Sequence, residues 1–107
     1  MNPDTHLICN MGVFTSAQRQ AHIQVTTELI QAVQRVEAIG NGYEIMFPNE
    51  MEFISKIAEF IANERLCCPF LTFTLNIVSN RDPISLSLTG PMGTQEFLRA
   101  EFSGAIQ

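Results

Sequence analysis

Glu64-Arg65-Leu66-Cys67-Cys68-Pro69-Phe70-Leu71-Thr72-Phe73 is a corner, where an apolar helix gives way to an alternating strand. Steps of three, four and seven back from Glu64 reach Ile61, Phe60 and Ile57; steps of four and seven back from Arg65 reach Ile61 and Ala58. Residues at those spacings share a helix face, so both charged side chains continue the stripe that the helix buries. An acid in a last turn also faces the negative end of the macrodipole, unfavourable by about 0.3–1 kcal/mol. Two local rules bent at one place mark a functional or strained corner; the alternative is a Glu64 that meets solvent as the helix runs out. Pro69 ends the helix and biases Cys68 towards extended geometry.

Beyond the corner, Leu71, Phe73, Leu75 and Ile77 alternate with Thr72, Thr74 and Asn76. Ile84, Leu86 and Leu88 alternate with Ser85, Ser87 and Thr89, and residues 79–83 supply the turn of a hairpin. Gly90-Pro91-Met92-Gly93 breaks the second strand, and Thr94 to Phe102 reads as a short helix with Phe97, Leu98 and Phe102 apolar. That glycine-proline turn either presents backbone N–H groups to an anion or is a plain turn.

Before the corner the same order occurs once already. Thr15 and Gln18 form a capping box ahead of a helix over 16–32, whose Ala17, Ala21, Val25, Leu29 and Val33 step by four. Gln34 to Ile39 reads as a strand, Gly40-Asn41-Gly42 as a tight turn, and Tyr43 to Phe47 as its partner, with Tyr43, Ile45 and Phe47 on one face. Asn49 and Glu52 suggest a second capping box, opening the helix that runs to about Leu66.

The predicted fold is therefore α+β, an approximate αββ-αββ-α repeat. One four-stranded antiparallel sheet carries its helices on one face. The chain reads as a single domain over 1–107, with a lead-in arm (1–14), two αββ units (15–48 and 49–90) and a C-terminal helix (91–107). The open face of the sheet would carry Thr72, Thr74, Asn76, Ser85, Ser87 and Thr89, all uncharged. It reads as a solvated surface, a ligand cradle or an interface of a homo-oligomer.

Composition narrows the classes. With 46% hydrophobic and 16% charged residues the chain reads as globular. A net charge of -5, a pI near 4.8 and six scattered basic residues argue against nucleic acid. No apolar run approaches the ~20 residues of a membrane span, and the first residues show no basic-then-apolar leader. Membrane partners are not expected. Three cysteines without an export signal suggest reduced thiols in a cytoplasmic protein.

The chemistry implied is that of thiols. Adjacent Cα atoms lie about 3.8 Å apart, short of the ~4.4–6.8 Å of a relaxed disulfide, so a Cys67–Cys68 bond would be strained. An ion held by both sulfurs fits neighbouring side chains with less distortion. The plain alternative is two small buried apolar side chains. Cys9, in the lead-in Leu7 to Phe14, would make a three-sulfur site; soft thiolates select zinc, copper(I), mercuric or arsenous ions. His22 is a candidate imidazole ligand or base, or an ordinary helix residue; His6 carries less weight. Zinc-finger cysteine pairs, phosphate-binding glycine patterns, a nucleophile elbow and a redox CxxC are all missing.

The run Glu64-Arg65-Leu66-Cys67-Cys68-Pro69-Phe70-Leu71-Thr72-Phe73-Thr74-Leu75, with Leu86-Ser87-Leu88-Thr89-Gly90-Pro91-Met92-Gly93 and Phe97, resembles a family of small bacterial proteins. Its pattern is ER-x-CCPF-x-x-F-x-L, then L-x-L-TGP-x-G, and it is linked with heavy-metal-type regulators. Cys9, His22 and Gly42-Tyr43 match its early cysteine, helix histidine and hairpin. Asn10 stands where that family has an aspartate after the cysteine, which removes an acid role there. The resemblance implies that Cys9, His22, Glu64, Arg65, Cys67 and Cys68 belong to one site, without supplying an activity.

Three readings follow. In the first, Cys9, Cys67 and Cys68, with His22 as a further ligand or Glu64 tuning the site, bind a soft metal or metalloid ion, and Arg65 offsets the thiolates and lowers their pKa values. In the second, a cysteine-dependent or redox-active enzyme uses Cys67 or Cys68 as the thiolate, His22 or Glu64 as base and Arg65 as an anion clamp on a small molecule. In the third, the cysteines are structural and the chain acts through its surface as a homo-oligomer. The first two require the arm to fold back onto the corner, and its apolar Leu7, Ile8, Val13 and Phe14 give it a reason to dock there.

Overall fold

The computed structural model describes residues 7–106, so His6 lies outside the described residues. Three helices and four strands follow in the expected order: α1 (Ser16–Ala32), β1 (Arg35–Ile39), β2 (Gly42–Phe47), α2 (Met51–Cys67), β3 (Thr72–Asn76), β4 (Ile84–Thr89) and α3 (Thr94–Glu101). All neighbouring strands are antiparallel, in the order β1-β2-β4-β3. The two hairpins thus join through their inner strands, β2 and β4, which leaves β1 and β3 at the edges.

Register places one apolar set on one face. Ile45 stands opposite Leu86, Tyr43 opposite Leu88 and Phe47 opposite Ile84, while Val36, Phe73 and Leu75 extend the same face to the edges. On it pack Val25 and Leu29 of α1, Ile57 and Phe60 of α2, and Leu98 of α3, in one buried core. The α+β architecture with its helices on one face is as the patterning requires. The open face is not the uncharged surface expected: β1 and β2 add Arg35, Glu37 and Glu44 to it, and Ser85 Oγ donates to Glu44 at 2.8 Å.

Caps show where local reading held. Thr15 Oγ1 accepts from the Gln18 N–H and Gln18 Oε1 accepts from the Thr15 N–H, the reciprocal box that starts α1. The second box does not form. The cap of α2 is Glu50, with no side-chain bond, because Asn49 Nδ2 donates instead to the carbonyls of Ser79 and Asp82 in the β3–β4 turn. The Gly90–Gly93 segment is a plain turn, in which the Thr94 N–H and Oγ1 both donate to the Pro91 carbonyl, with Gly93 at φ +98°.

Gly42 opens β2 where two backbones meet. A Cβ there would run into the Leu88 carbonyl oxygen and stand 2.8 Å from the Thr89 Cα. No flexible side chain is available to yield, so Gly42→Ala must push β2 away from β4. It is expected to cost about 3 kcal/mol, the upper part of the overpacking range. Urea denaturation measures it, and a loss under about 0.5 kcal/mol would show that the strands re-register freely.

Candidate functional site

The site begins with two helix stripes. On α1, His22, Val25 and Leu29 are buried, and on α2, Ile57, Phe60, Glu64 and Cys67. Both sets follow helical spacing, so His22 and Glu64 occupy positions that packing reserves for apolar side chains. The helices meet there, and His22 Nε2 hydrogen-bonds Glu64 Oε1 at 2.7 Å. The imidazole lies between the rings of Phe14 and Phe60, with centroids 5.5 and 5.6 Å away. Its Nδ1 is buried and has no partner among the described residues.

The corner closes the last turn of α2. The Cys68 N–H donates to the Glu64 carbonyl at 2.7 Å and the Leu71 N–H to the Cys68 carbonyl at 3.2 Å. Pro69 has no N–H to continue the ladder, and Cys68 takes φ -124°. This places both sulfurs inward. Cys67 and Cys68 are fully buried, their sulfurs 3.7 Å apart. The Cys67 S–H points at Glu64 Oε1 at 3.4 Å, and the Cys68 sulfur lies 3.5 Å from Oε2.

The arm folds back onto this corner. The Asn10 N–H donates to the Cys67 carbonyl at 2.7 Å, and Asn10 Oδ1 caps the 3-10 turn Met11–Val13 by accepting from the Gly12 N–H. Leu7 and Phe14 are buried, whereas Ile8 and Val13 are exposed. Two of the four apolar residues that favoured docking therefore do the docking. Cys9 is joined to Cys68 by a disulfide with a Cα–Cα separation of 4.6 Å, and Cys67 is a free, buried thiol. The expectation of three reduced thiols is corrected accordingly. One bond links the arm to the corner, and it avoids the strain of a vicinal pair.

Cys9, Glu64, Cys67 and Cys68 each present one ligand atom, all within 4.8 Å of one another. This group could hold a metal ion. His22 reaches it through Glu64. Arg65 is exposed, so the apolar stripe takes only one of the two charged neighbours.

The electrostatics also differ from expectation. Burial, and then the Glu64 carboxyl, push the Cys67 thiol up to about 12, the reverse of the lowering expected from Arg65. The folded chain therefore holds this proton more tightly than the unfolded one. Stability from this group is complete below the ordinary thiol value of 9.0 and is lost as pH rises from there towards about 12. The slope approaches about 1.4 kcal/mol per pH unit. Cys67→Ala is expected to flatten denaturant midpoints over that window relative to the parent; parallel profiles would contradict the assignment.

Beside Glu64 a cavity of about 110 Å³ is lined by Met11, His22, Thr26, Glu64, Glu101 and Phe102. Desolvation, followed by the charge of Glu64, raises the Glu101 carboxyl above its usual range. Sequence reasoning missed Glu101. Its signal was the one that exposed Glu64, an acid in the last turn of a helix, four residues after the apolar Phe97. Among the described residues no helix is long and apolar enough to cross a membrane.

No family model, curated protein or solved structure matches the chain.

Proposed function

We propose that the reduced chain binds one soft metal or metalloid ion through Cys9, Cys67 and Cys68. Glu64 stands beside them as a fourth donor or as the group that orients them. The observation that carries this reading is the mutual approach of the four ligand atoms to within 4.8 Å. Three sulfurs and one carboxylate favour thiophilic ions of the zinc, mercury, arsenic or copper(I) class over hard cations, because softness of the donors governs the choice. The hydrogen bond from His22 to Glu64 fits a supporting partner that fixes the carboxylate. Titration of the reduced chain with mercuric, arsenous or zinc ions should give a tight one-to-one complex with one of them. Binding no better than millimolar for all three overturns the reading.

A second reading rests on a separate observation, the Cys9–Cys68 disulfide with the Cys67 thiol 3.7 Å from it. In that reading the chain is a redox-active thiol protein, and the sulfur group works by exchange. Reduction of a model disulfide with turnover by the reduced chain would favour it over ion capture.

A further inference from the structure

We propose that Cys9 is the site at which a small monothiol enters the corner, forming a mixed disulfide on Cys9 and releasing Cys68. Exchange requires a thiolate to reach one of the two bonded sulfurs, so access decides which is attacked. Cys68 is fully buried, as is Cys67 beside it, whereas Cys9, in the arm, is only partly buried. Attack from outside therefore falls on Cys9.

A monothiolate bonds to the Cys9 sulfur, the Cys9–Cys68 bond breaks, and its electron pair leaves on Cys68 as a thiolate, which takes up the proton the monothiol gave up. A second monothiol then attacks the added sulfur, leaving Cys9 as a thiol and the two small molecules joined as their own disulfide. Two monothiols are oxidised and one protein disulfide is reduced.

The arm has reasons to stay in place while this happens. The Asn10 N–H remains bonded to the Cys67 carbonyl, and Leu7 and Phe14 remain buried on either side of Cys9. The mixed disulfide is thus a defined state of the folded protein, and Cys9 is a modification site for small thiols. Its regulatory consequence rests on the ion-binding reading above. A capped Cys9 leaves two sulfurs for the ion where the reduced chain has three, so the small-thiol pool sets how many ligands are ready.

The test uses the whole oxidised chain and reduced glutathione, quenched with acid at intervals, with adducts mapped on peptides. Cys9 should carry at least about tenfold more adduct than Cys68 at early times. Cys67→Ser should give the same pattern, since Cys67 takes no part. Adduct mainly on Cys67 or Cys68, a Cys9–Cys68 bond that stays intact under glutathione, or a purified chain lacking that bond would each overturn the proposal. No ion enters this experiment, while the ion titration uses fully reduced protein. Each can fail without the other.

Discussion

Replacing Glu64 by alanine is expected to lower the unfolding free energy by about 3–5 kcal/mol, the range for removing one partner of a buried polar pair. Glu64 and His22 are 2 and 3% exposed. Alanine leaves Nε2 of the imidazole buried without its 2.7 Å partner, with Nδ1 already lacking a partner among the described residues. It also strips the Cys67 S–H of an acceptor and opens a void between the helices. Glu64→Gln keeps the shape and one oxygen, and is expected to lose about 1–2 kcal/mol, the scale of one buried hydrogen bond. The informative variant removes both partners. His22→Leu with Glu64→Leu places apolar side chains where both stripes already call for them, and such replacements are often neutral or stabilising. The double variant should therefore recover most of the loss, with a coupling energy of about 1–3 kcal/mol in a double-mutant cycle. Additive losses in denaturant would show that the two side chains act separately. Recovery would mean that the pair is not needed for folding, which leaves the chemistry of the corner as its role.

The α2 stripe explains both what could and what could not be read from the chain. Ile57, Phe60, Glu64 and Cys67 lie on one face by simple counting, so the burial of Glu64 was legible. The same counting admitted Arg65, but adjacent helix positions differ by about 100° and only one can face the core. Hairpins were legible because Leu86 and Leu88 alternate with Ser85 and Ser87, a local signal. Pairing β2 with β4 is not local, and it alone brings Glu44 to the face that holds the β4 serines. Asn49 carries the same lesson. Its sequence neighbours suit a capping box, yet the Ser79–Asp82 turn lies within its reach and two carbonyls there outcompete one helix terminus. Convergence of the arm on the corner was argued from its apolar residues, and a backbone bond from Asn10 holds it. The choice of Cys68 over Cys67 as the partner of Cys9 depends on which sulfur the Pro69 turn directs at the arm, and spacing says nothing of that.

Changing Cys67 and Cys68 to serine in the fully reduced chain is expected to weaken capture of the preferred soft ion by at least about a thousandfold, roughly 4 kcal/mol. Serine hydroxyls are hard donors that stay protonated, so two of the three soft ligands are lost and the ion loses its reason to prefer the site. Folding should survive, because a serine at 67 can still donate to Glu64 as the thiol does, and the reduced parent lacks the Cys9–Cys68 bond as well. Cys9→Ser alone removes one ligand, and its loss should fall between parent and double variant. Glu64→Gln separates two roles for the carboxylate. A loss of about 10–100-fold fits a group that orients the sulfurs, and a loss as large as that of Cys9→Ser fits a direct ligand. Capture must also displace the Cys67 proton, so the parent should bind more tightly as pH rises, and Cys67→Ser should lose part of that dependence. Competition titrations with a chelator of known affinity read all of these. An affinity unchanged in the double serine variant would remove the sulfur pair from the site and leave the second, redox reading of the corner.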